Sequence, residues 1–193
     1  PEMTNMNRAM FREWFPQIIS DQHQPGPVGT VVFIPPTGDP FNYAIDPVTM
    51  LRTDSVGYAI HLRLLSEGKR GSTMRGTAPY SSWFNGSLSA APLYHNAAGI
   101  LTEITGNPTP MEIALVPRNQ LAREDLPAPA IPGEWHLSDA IDYIETMDRA
   151  MLDYASRNRE DLLYGRYRIG RAQIEAGSRD SWAITPKRVA ALQ

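Results

Sequence analysis

The alternation of apolar and polar positions predicts short strands separated by amphipathic helices. Residues 18–23 begin apolar and turn polar before a Pro-Gly-Pro break, so they predict a strand whose polar residues lie at its C-terminal end. Residues 30–34 and 99–106 predict two further strands, and residues 72–74 a short one. Helices interleaved with short apolar strands are typical of an α/β layered fold, so we predict a mixed sheet flanked by helices.

Helix signals mark two segments in the first half of the chain. A helix capped by Thr4 or Asn5 should end before Pro16, because proline cannot continue the hydrogen-bond ladder. A helix of about five turns should run from Asp46-Pro47, an N-cap followed by the proline favoured at the first helical position, to Gly68. The apolar positions predicted to face the core are Met6, Met10 and Trp14 in the first helix, and Val48, Leu51, Ile60 and Leu64 in the second.

The second half of the chain is predicted to be loop-rich and to end in helices. Residues 107–133 are rich in proline and show neither helical nor strand period, so we expect them to wrap over a surface in extended form. Ser138 should cap a helix, and an arginine-rich helix from about residue 159 should end at Gly177. The residues of the first of these helices predicted to face inward are Ile141, Ile144, Met151, Leu152 and Ala155.

Composition narrows the possible functions. The chain has 193 residues, of which 42% are hydrophobic and 20% charged, as in an ordinary globular domain. The absence of cysteine excludes disulfides and thiolate ligands, so a metal would have to be held by histidine and carboxylates. The net charge of −3 gives no overall basic field, and no stretch approaches the roughly 18 apolar residues of a membrane span. We therefore expect no nucleic-acid or membrane partner.

Single residues must carry any chemistry, since the sequence contains no HExxH, phosphate-binding loop or GxSxG. His23 ends a strand before a proline-glycine loop, where α/β sheets place their ligand sites. Asp21 lies two residues earlier, on the same side of that strand, and could contact His23. A capped or solvent-facing histidine is the alternative interpretation of His23.

Glu103 is the second candidate, because it interrupts the apolar strand around it. A buried carboxylate is unfavourable unless it is paired, protonated or linked to a metal. Burial would raise the pKa of Glu103 towards the range of a general base, whereas a salt bridge to an arginine is the structural alternative. Tyr80 and Trp83 could bind a ligand or anchor their loop. His61, His95 and His136 are interpreted as structural.

Three runs of the sequence together resemble a known family. REWFPQIISDQHQPGP, STMRGTAPYSSWFNG and YHNAAGILTEITGNPTPMEI, in this order, resemble the C-terminal half of the catalytic domain of bacterial zinc carboxypeptidases related to carboxypeptidase A. The resemblance covers most of residues 1–120. Residues 121–193, a proline-rich wrap plus a helical extension, resemble the segment after the catalytic domain in long bacterial members.

The resemblance implies a role for three residues. His23 matches the family's third zinc ligand, Glu103 matches its general base, and Tyr80 matches a tyrosine on a mobile loop that contacts the substrate. The implied activity is zinc-dependent hydrolysis of a peptide or protein substrate at its C-terminus, with Glu103 taking a proton from water and returning it to the leaving amine.

The resemblance also implies that part of the site lies elsewhere. The family's HxxE zinc motif and its carboxylate-binding Arg/Asn pair are missing from this sequence, so the ligand set for the one zinc ion is incomplete. We expect the chain to be a piece of a longer protein, to be inactive alone, and to belong to a parent peptidase that family habit places outside the cell or in the periplasm. Two alternatives remain open: an amidohydrolase of N-acyl amino acids on the same fold, and a non-catalytic binding domain with a decayed zinc site.

Overall fold

The structure, a computed structural model, describes residues 2–179 and 189–192 and has a mixed α/β fold. The strands are β1 (Ile18–His23), β2 (Val32–Thr37), β3 (Ser72–Arg75), β4 (Ala98–Ile104), β5 (Met111–Ile113) and β6 (Gly133–Trp135). The helices are α1 (Glu2–Arg8), which continues as a π-helical segment (Ala9–Trp14), α2 (Pro47–Ser66), α3 (Leu137–Arg157) and α4 (Arg159–Gly177), with a 3₁₀ helix at Ala91–His95.

The main sheet has four strands in the order β1-β4-β2-β3. β1 is parallel to β4, and β2 is parallel to β3, while β2 and β4 are antiparallel. The C-terminal ends of β1 and β4 therefore meet the N-terminal ends of β2 and β3. β5 and β6 form a separate antiparallel pair. The predicted mixed sheet with helices is confirmed.

The two faces of the main sheet are covered differently. α2 and α3 pack on one face, which we call the helix face. Its core contains Val32, Ile34, Val56, Ile60, Leu64, Ile100, Ile104 and Met147. Because side chains alternate along a strand, the opposite face carries a different set, which lies under loops and the 3₁₀ helix, and we call it the loop face. The loop face carries Asp21, His23, Phe33, Thr73, Leu101 and Glu103.

α2 is packed differently from the predicted stripe. Asp46 caps it as expected, with its Oδ1 accepting a hydrogen bond from the Val48 backbone N–H at 2.8 Å. Ile60 and Leu64 are buried as predicted, whereas Val48 and Leu51 are exposed, so that part of the prediction is wrong. The reason is Gly57, where an added Cβ would overlap the carbonyl oxygen of Pro35. This close approach turns the side of α2 that contains Gly57 towards the sheet.

Two other predicted apolar faces are also partly wrong. In α3 Met151 is buried, but Ile141 and Leu152 are exposed, because the side of the helix that contacts the core carries Ala140, Thr146, Met147 and Ala150. In the first helical segment no residue is buried, and Met6 and Trp14 are exposed. The bounds of α4 were predicted correctly, since it runs from Arg159 to Gly177. Two predicted caps are wrong: α3 begins at Leu137 after His136, so Ser138 lies inside it, and α1 begins at Glu2, before Thr4 and Asn5.

Proline misled two strand predictions. β2 continues through Pro35-Pro36 to Thr37, which is the partner of Arg75 in β3. The proline-rich segment 107–133 was expected to contain no strand, yet β5 and the start of β6 lie within it. The pairing of β5 with β6 holds the two ends of this proline-rich segment next to each other. Among the described helices, none is long and apolar enough to cross a membrane.

Candidate functional site

The structure places His23 and Glu103 side by side. They are the last partners of the parallel β1–β4 ladder, at Cα register His23↔Glu103. Directly paired residues of neighbouring strands project from the same face, so both side chains lie on the loop face. Glu103 is in turn the partner of Phe33 in β2. The register therefore brings the two candidate residues to one face of the sheet at adjacent positions.

Asp21 holds the ring of His23. Its Oδ1 lies 3.0 Å from His23 Nε2, and the Asp21 side chain is only 7% exposed while that of His23 is 55% exposed. Nε2 therefore faces the carboxylate, although the contact lacks hydrogen-bond geometry, and Nδ1 is the other ring nitrogen. A proton on Nε2 would be stabilised by the carboxylate and would leave the lone pair on Nδ1. The predicted contact between the two residues is therefore present, and it leaves Nδ1 as the nitrogen suited to a metal.

Glu103 is a buried carboxylate, with 9% of its surface exposed. Burial raises the pKa of Glu103, the nearby His23 lowers it, and the Asp21 carboxylate raises it. Within the described residues, the charges that act on Glu103 come from these two residues, and not from the arginine of the structural alternative. A carboxyl group with a raised pKa holds its proton more readily than an ordinary carboxylate, which suits a group that accepts and returns a proton.

Tyr80 reaches the same face from a loop. Its ring packs on Phe33, with centroids 4.8 Å apart. Burial raises the pKa of the Tyr80 hydroxyl, and the charge of Glu103 raises it further, which places the hydroxyl within electrostatic range of the carboxylate. The loop is attached to the end of β2, where the Gly38 backbone N–H donates to the Tyr80 carbonyl at 2.9 Å. Tyr80 and Glu103 thus lie on the same face of the sheet, on either side of the Phe33 position.

The turn after β1 is fixed by a backbone contact. The Gly26 N–H donates to the Ile104 carbonyl at 2.9 Å, which ties the segment after His23 to the end of β4. A Cβ at Gly26 would lie 2.7 Å from the Thr105 nitrogen and 2.9 Å from the Glu103 carbonyl oxygen. Only glycine therefore allows this approach.

The donor set fits part of a zinc site. His23 offers Nδ1, Asp21 fixes its ring, and Glu103 stands next to it in the position of a base. Among the residues that the structure describes, no three histidine or carboxylate side chains converge as metal ligands. Catalytic zinc sites have three protein ligands, so this chain supplies at most part of one such site.

The remaining predicted residues lie outside this cluster. Trp83 is exposed on the surface and contacts Tyr43 edge to face at 6.2 Å. His61 is buried on the helix face, with its Nδ1 2.9 Å from the Ser72 hydroxyl. The His95 ring stacks on Phe11 at 3.9 Å, and His136 caps α3. These contacts agree with the structural interpretation of the three histidines.

A cavity that the sequence did not predict adjoins Tyr80. It has a volume of about 470 Å³ and is lined by the loop before Tyr80, by the turn after β1 and by Arg123. Arg123 belongs to the proline-rich segment, where the absence of any period gives no signal of its position. A separate apolar groove of about 600 Å³ lies between β1, α3 and α4 and is not lined by His23 or Glu103.

Comparison of the chain with protein-family models, with curated proteins and with solved structures gives no match. The site must therefore be interpreted from its own geometry.

Proposed function

We propose that this chain forms the C-terminal half of the catalytic domain of a zinc-dependent metallocarboxypeptidase and adopts part of that fold. The observation that supports the proposal most directly is the His23↔Glu103 register on the loop face, with Asp21 and Tyr80 beside it. A metal ligand and a base must lie within reach of one water molecule, and adjacent positions of neighbouring strands provide that distance.

Each residue has a distinct role in the proposed reaction. Zinc, when bound, would lower the pKa of water and polarise the scissile carbonyl. His23 would hold the metal through Nδ1, and Asp21 would keep that nitrogen unprotonated. Glu103 would take a proton from water and return it to the leaving amine. Tyr80 would contact the C-terminal residue of the peptide.

The partial ligand set has a consequence for activity. Zinc held by one histidine binds weakly, so we expect the isolated chain to be inactive. The resemblance places the other two ligands in an HxxE motif of the parent protein. If the parent sequence lacked HxxE, the non-catalytic binding domain would be the better interpretation.

The decisive experiment replaces Glu103 by Gln in the parent protein. Loss of the base should lower turnover of a blocked dipeptide by at least about 100-fold, because general-base catalysis contributes roughly 10²–10⁴-fold. The zinc content should stay near that of the unmodified protein, since Glu103 is not a ligand in this scheme. Glu112→Gln, which changes an exposed acid on β5, is the matched control and should leave turnover unchanged.

Three results would contradict the proposal. Retained turnover in Glu103→Gln would remove Glu103 from the mechanism. Unchanged zinc content in His23→Ala would exclude His23 as a ligand. Turnover of N-acyl amino acids in preference to blocked dipeptides would identify an amidohydrolase instead.

A further inference from the structure

The cavity beside Tyr80 is lined by one charged side chain, and only some of its hydrogen-bond donors have partners. Arg123 lines the cavity, and its side chain is 39% exposed. Its Nε lies 2.6 Å from Asp125 Oδ1, but that oxygen receives no aligned hydrogen bond, so the contact is an ion pair without hydrogen-bond geometry. Nη1 donates to the Leu121 carbonyl at a long 3.4 Å. Within the described residues, the Nη2 amino group thus remains for a ligand.

The backbone around Arg123 is firmly placed. Arg123 and Leu126 exchange two backbone hydrogen bonds, of 3.1 and 3.0 Å, and the Leu126 side chain is fully buried. The Asp125 carbonyl accepts hydrogen bonds from the Thr73 hydroxyl at 2.7 Å and from the Met74 N–H at 3.0 Å. The turn that carries Arg123 is therefore attached to the outer side of β3.

The strand register gives the approximate distance between Glu103 and the part of β3 to which the Arg123 turn is attached. Glu103 pairs with Phe33, and Phe33 pairs with Thr73, so the three residues form one row on the loop face. Neighbouring strands are about 4.8 Å apart, which puts Thr73 about 10 Å from Glu103. Tyr80, on Phe33, stands between them. A substrate side chain that begins beside Glu103 and extends past Tyr80 would approach the cavity that Arg123 lines.

We infer that this cavity is the subsite for an acidic side chain of the substrate's C-terminal residue, and that Arg123 is the cation that binds its carboxylate. The inference rests on the proposed function, because Tyr80 and Glu103 define where the C-terminal residue lies. Arginine binds carboxylates through its N–H groups, and here the backbone that carries Arg123 is anchored while its guanidinium faces the cavity with donors to spare.

Three other polar side chains of the cavity already donate hydrogen bonds to backbone carbonyls, so Arg123 is the charged donor left to a ligand among the lining residues. Asn119 donates to the Val28 carbonyl at 2.9 Å, and Thr30 donates to the Pro27 carbonyl at 2.7 Å. Thr77 donates to the Met74 carbonyl at 2.9 Å. The acidic residues of the candidate site, Asp21 and Glu103, repel an anion from their own side of Tyr80. A substrate carboxylate is thus favoured in the cavity and disfavoured beside the base.

Binding of two isosteric ligands to this chain tests the inference. N-acetylglutamate and N-acetylglutamine share the terminal carboxylate and differ only in the charge of the side chain. We expect the chain to bind N-acetylglutamate about tenfold more tightly in calorimetric or NMR titrations, since a charge-assisted bond is worth about one such factor. The preference should weaken as salt is added.

Substitution of Arg123 identifies the group responsible. Arg123→Gln should abolish the preference, and Arg123→Lys should retain part of it, because lysine keeps the charge but not the fork of donors. Arg118→Gln, an exposed arginine on the same segment, should leave it intact. Unchanged thermal unfolding of the variants would show that they fold.

Equal affinity for the two ligands, no binding of either, or a preference that survives in Arg123→Gln would overturn the inference. Because these readouts need neither zinc nor turnover, they are separate from the test of Glu103. Hydrolysis without the preference would leave the proposed function intact, and the preference without hydrolysis would leave the subsite intact.

Discussion

The helix face and the loop face of the main sheet each carry a histidine, and the two histidines have opposite surroundings. On the helix face His61 is 3% exposed, contacts the Ser72 hydroxyl, and has its pKa lowered to about 4 by burial. On the loop face the His23 side chain is 55% exposed and contacts a buried carboxylate. His61 is thus held neutral inside the fold, whereas His23 is oriented with one ring nitrogen left for a ligand.

The difference shows that burial alone does not identify a functional residue. The helix face is closed by α2 and α3, so a polar group buried there, such as His61, affects stability. On the loop face two buried carboxylates lie beside a histidine that is exposed to the solvent, so a ligand could reach this cluster through His23. Substitutions on the two faces should therefore affect different measurements.

The largest effect at neutral pH is expected from Gly57→Ala on the helix face. The new methyl group would overlap the Pro35 carbonyl and force α2 away from β2, which should lower the free energy of unfolding by about 3 kcal/mol. Denaturant unfolding of the chain measures this change. Gly76→Ala, at the start of the Tyr80 loop, is the matched control, since its Cβ would meet no atom within 4 Å. Equal effects of the two substitutions would contradict the assigned packing.

The pH dependence of the free energy of unfolding should reveal the contribution of His61. Its pKa is about 4 in the folded chain against an ordinary value of 6.5, so the unfolded state binds the extra proton between these values. The stability due to neutral His61 is complete above pH 6.5 and is lost as the pH falls towards 4. This loss should amount to about 3 kcal/mol. His61→Gln should remove that part of the pH dependence in unfolding experiments, and an unchanged dependence would assign it to other groups.

A smaller effect, without a large change in stability, is expected from Asp21→Asn on the loop face. The amide can present either its oxygen or its NH₂ to the ring, so it no longer decides which nitrogen of His23 carries the proton. Zinc affinity of the parent protein should fall about 10- to 100-fold. The ring nitrogen shifts of His23 in this chain, measured by NMR, should change from the Nε2–H form to a mixture.

Asp148→Asn is the control for that experiment. Asp148 accepts a hydrogen bond at 2.8 Å from Gln22, which projects from the opposite face of the same strand. Its substitution should leave both the zinc affinity and the His23 nitrogen shifts unchanged. An unaltered His23 tautomer in Asp21→Asn would mean that another contact orients the ring.

The sequence predicted strand positions better than packing directions. β1 and β4 were found because their apolar runs end at loop residues, and α2 was found because Asp46-Pro47 is a strong start signal. The exposure of Leu51 was not predictable, since the orientation of α2 depends on its contact with Pro35. The β5–β6 pair was missed because its two short strands pair across a proline-rich segment without a period of its own.

The candidate site was predictable one residue at a time but not as a cluster. A histidine at a strand end and an acid in an apolar strand are visible in the sequence. Their pairing is a property of the β1–β4 register, which joins segments 80 positions apart. Arg123 was not predictable, because only the hydrogen bonds of the next residues to β3 bring it near Tyr80.

The Gly26 contact has a consequence for anyone who wishes to redesign this protein. Just beyond the β1–β4 ladder, main chain lies against main chain at this point, so the contact adds to the ladder in holding the two strands at a constant separation. Libraries that vary the surrounding loops can therefore alter selectivity while the spacing of the reacting groups stays constant. Any insertion that moves position 26 would change that spacing itself, and such variants belong in a separate screen.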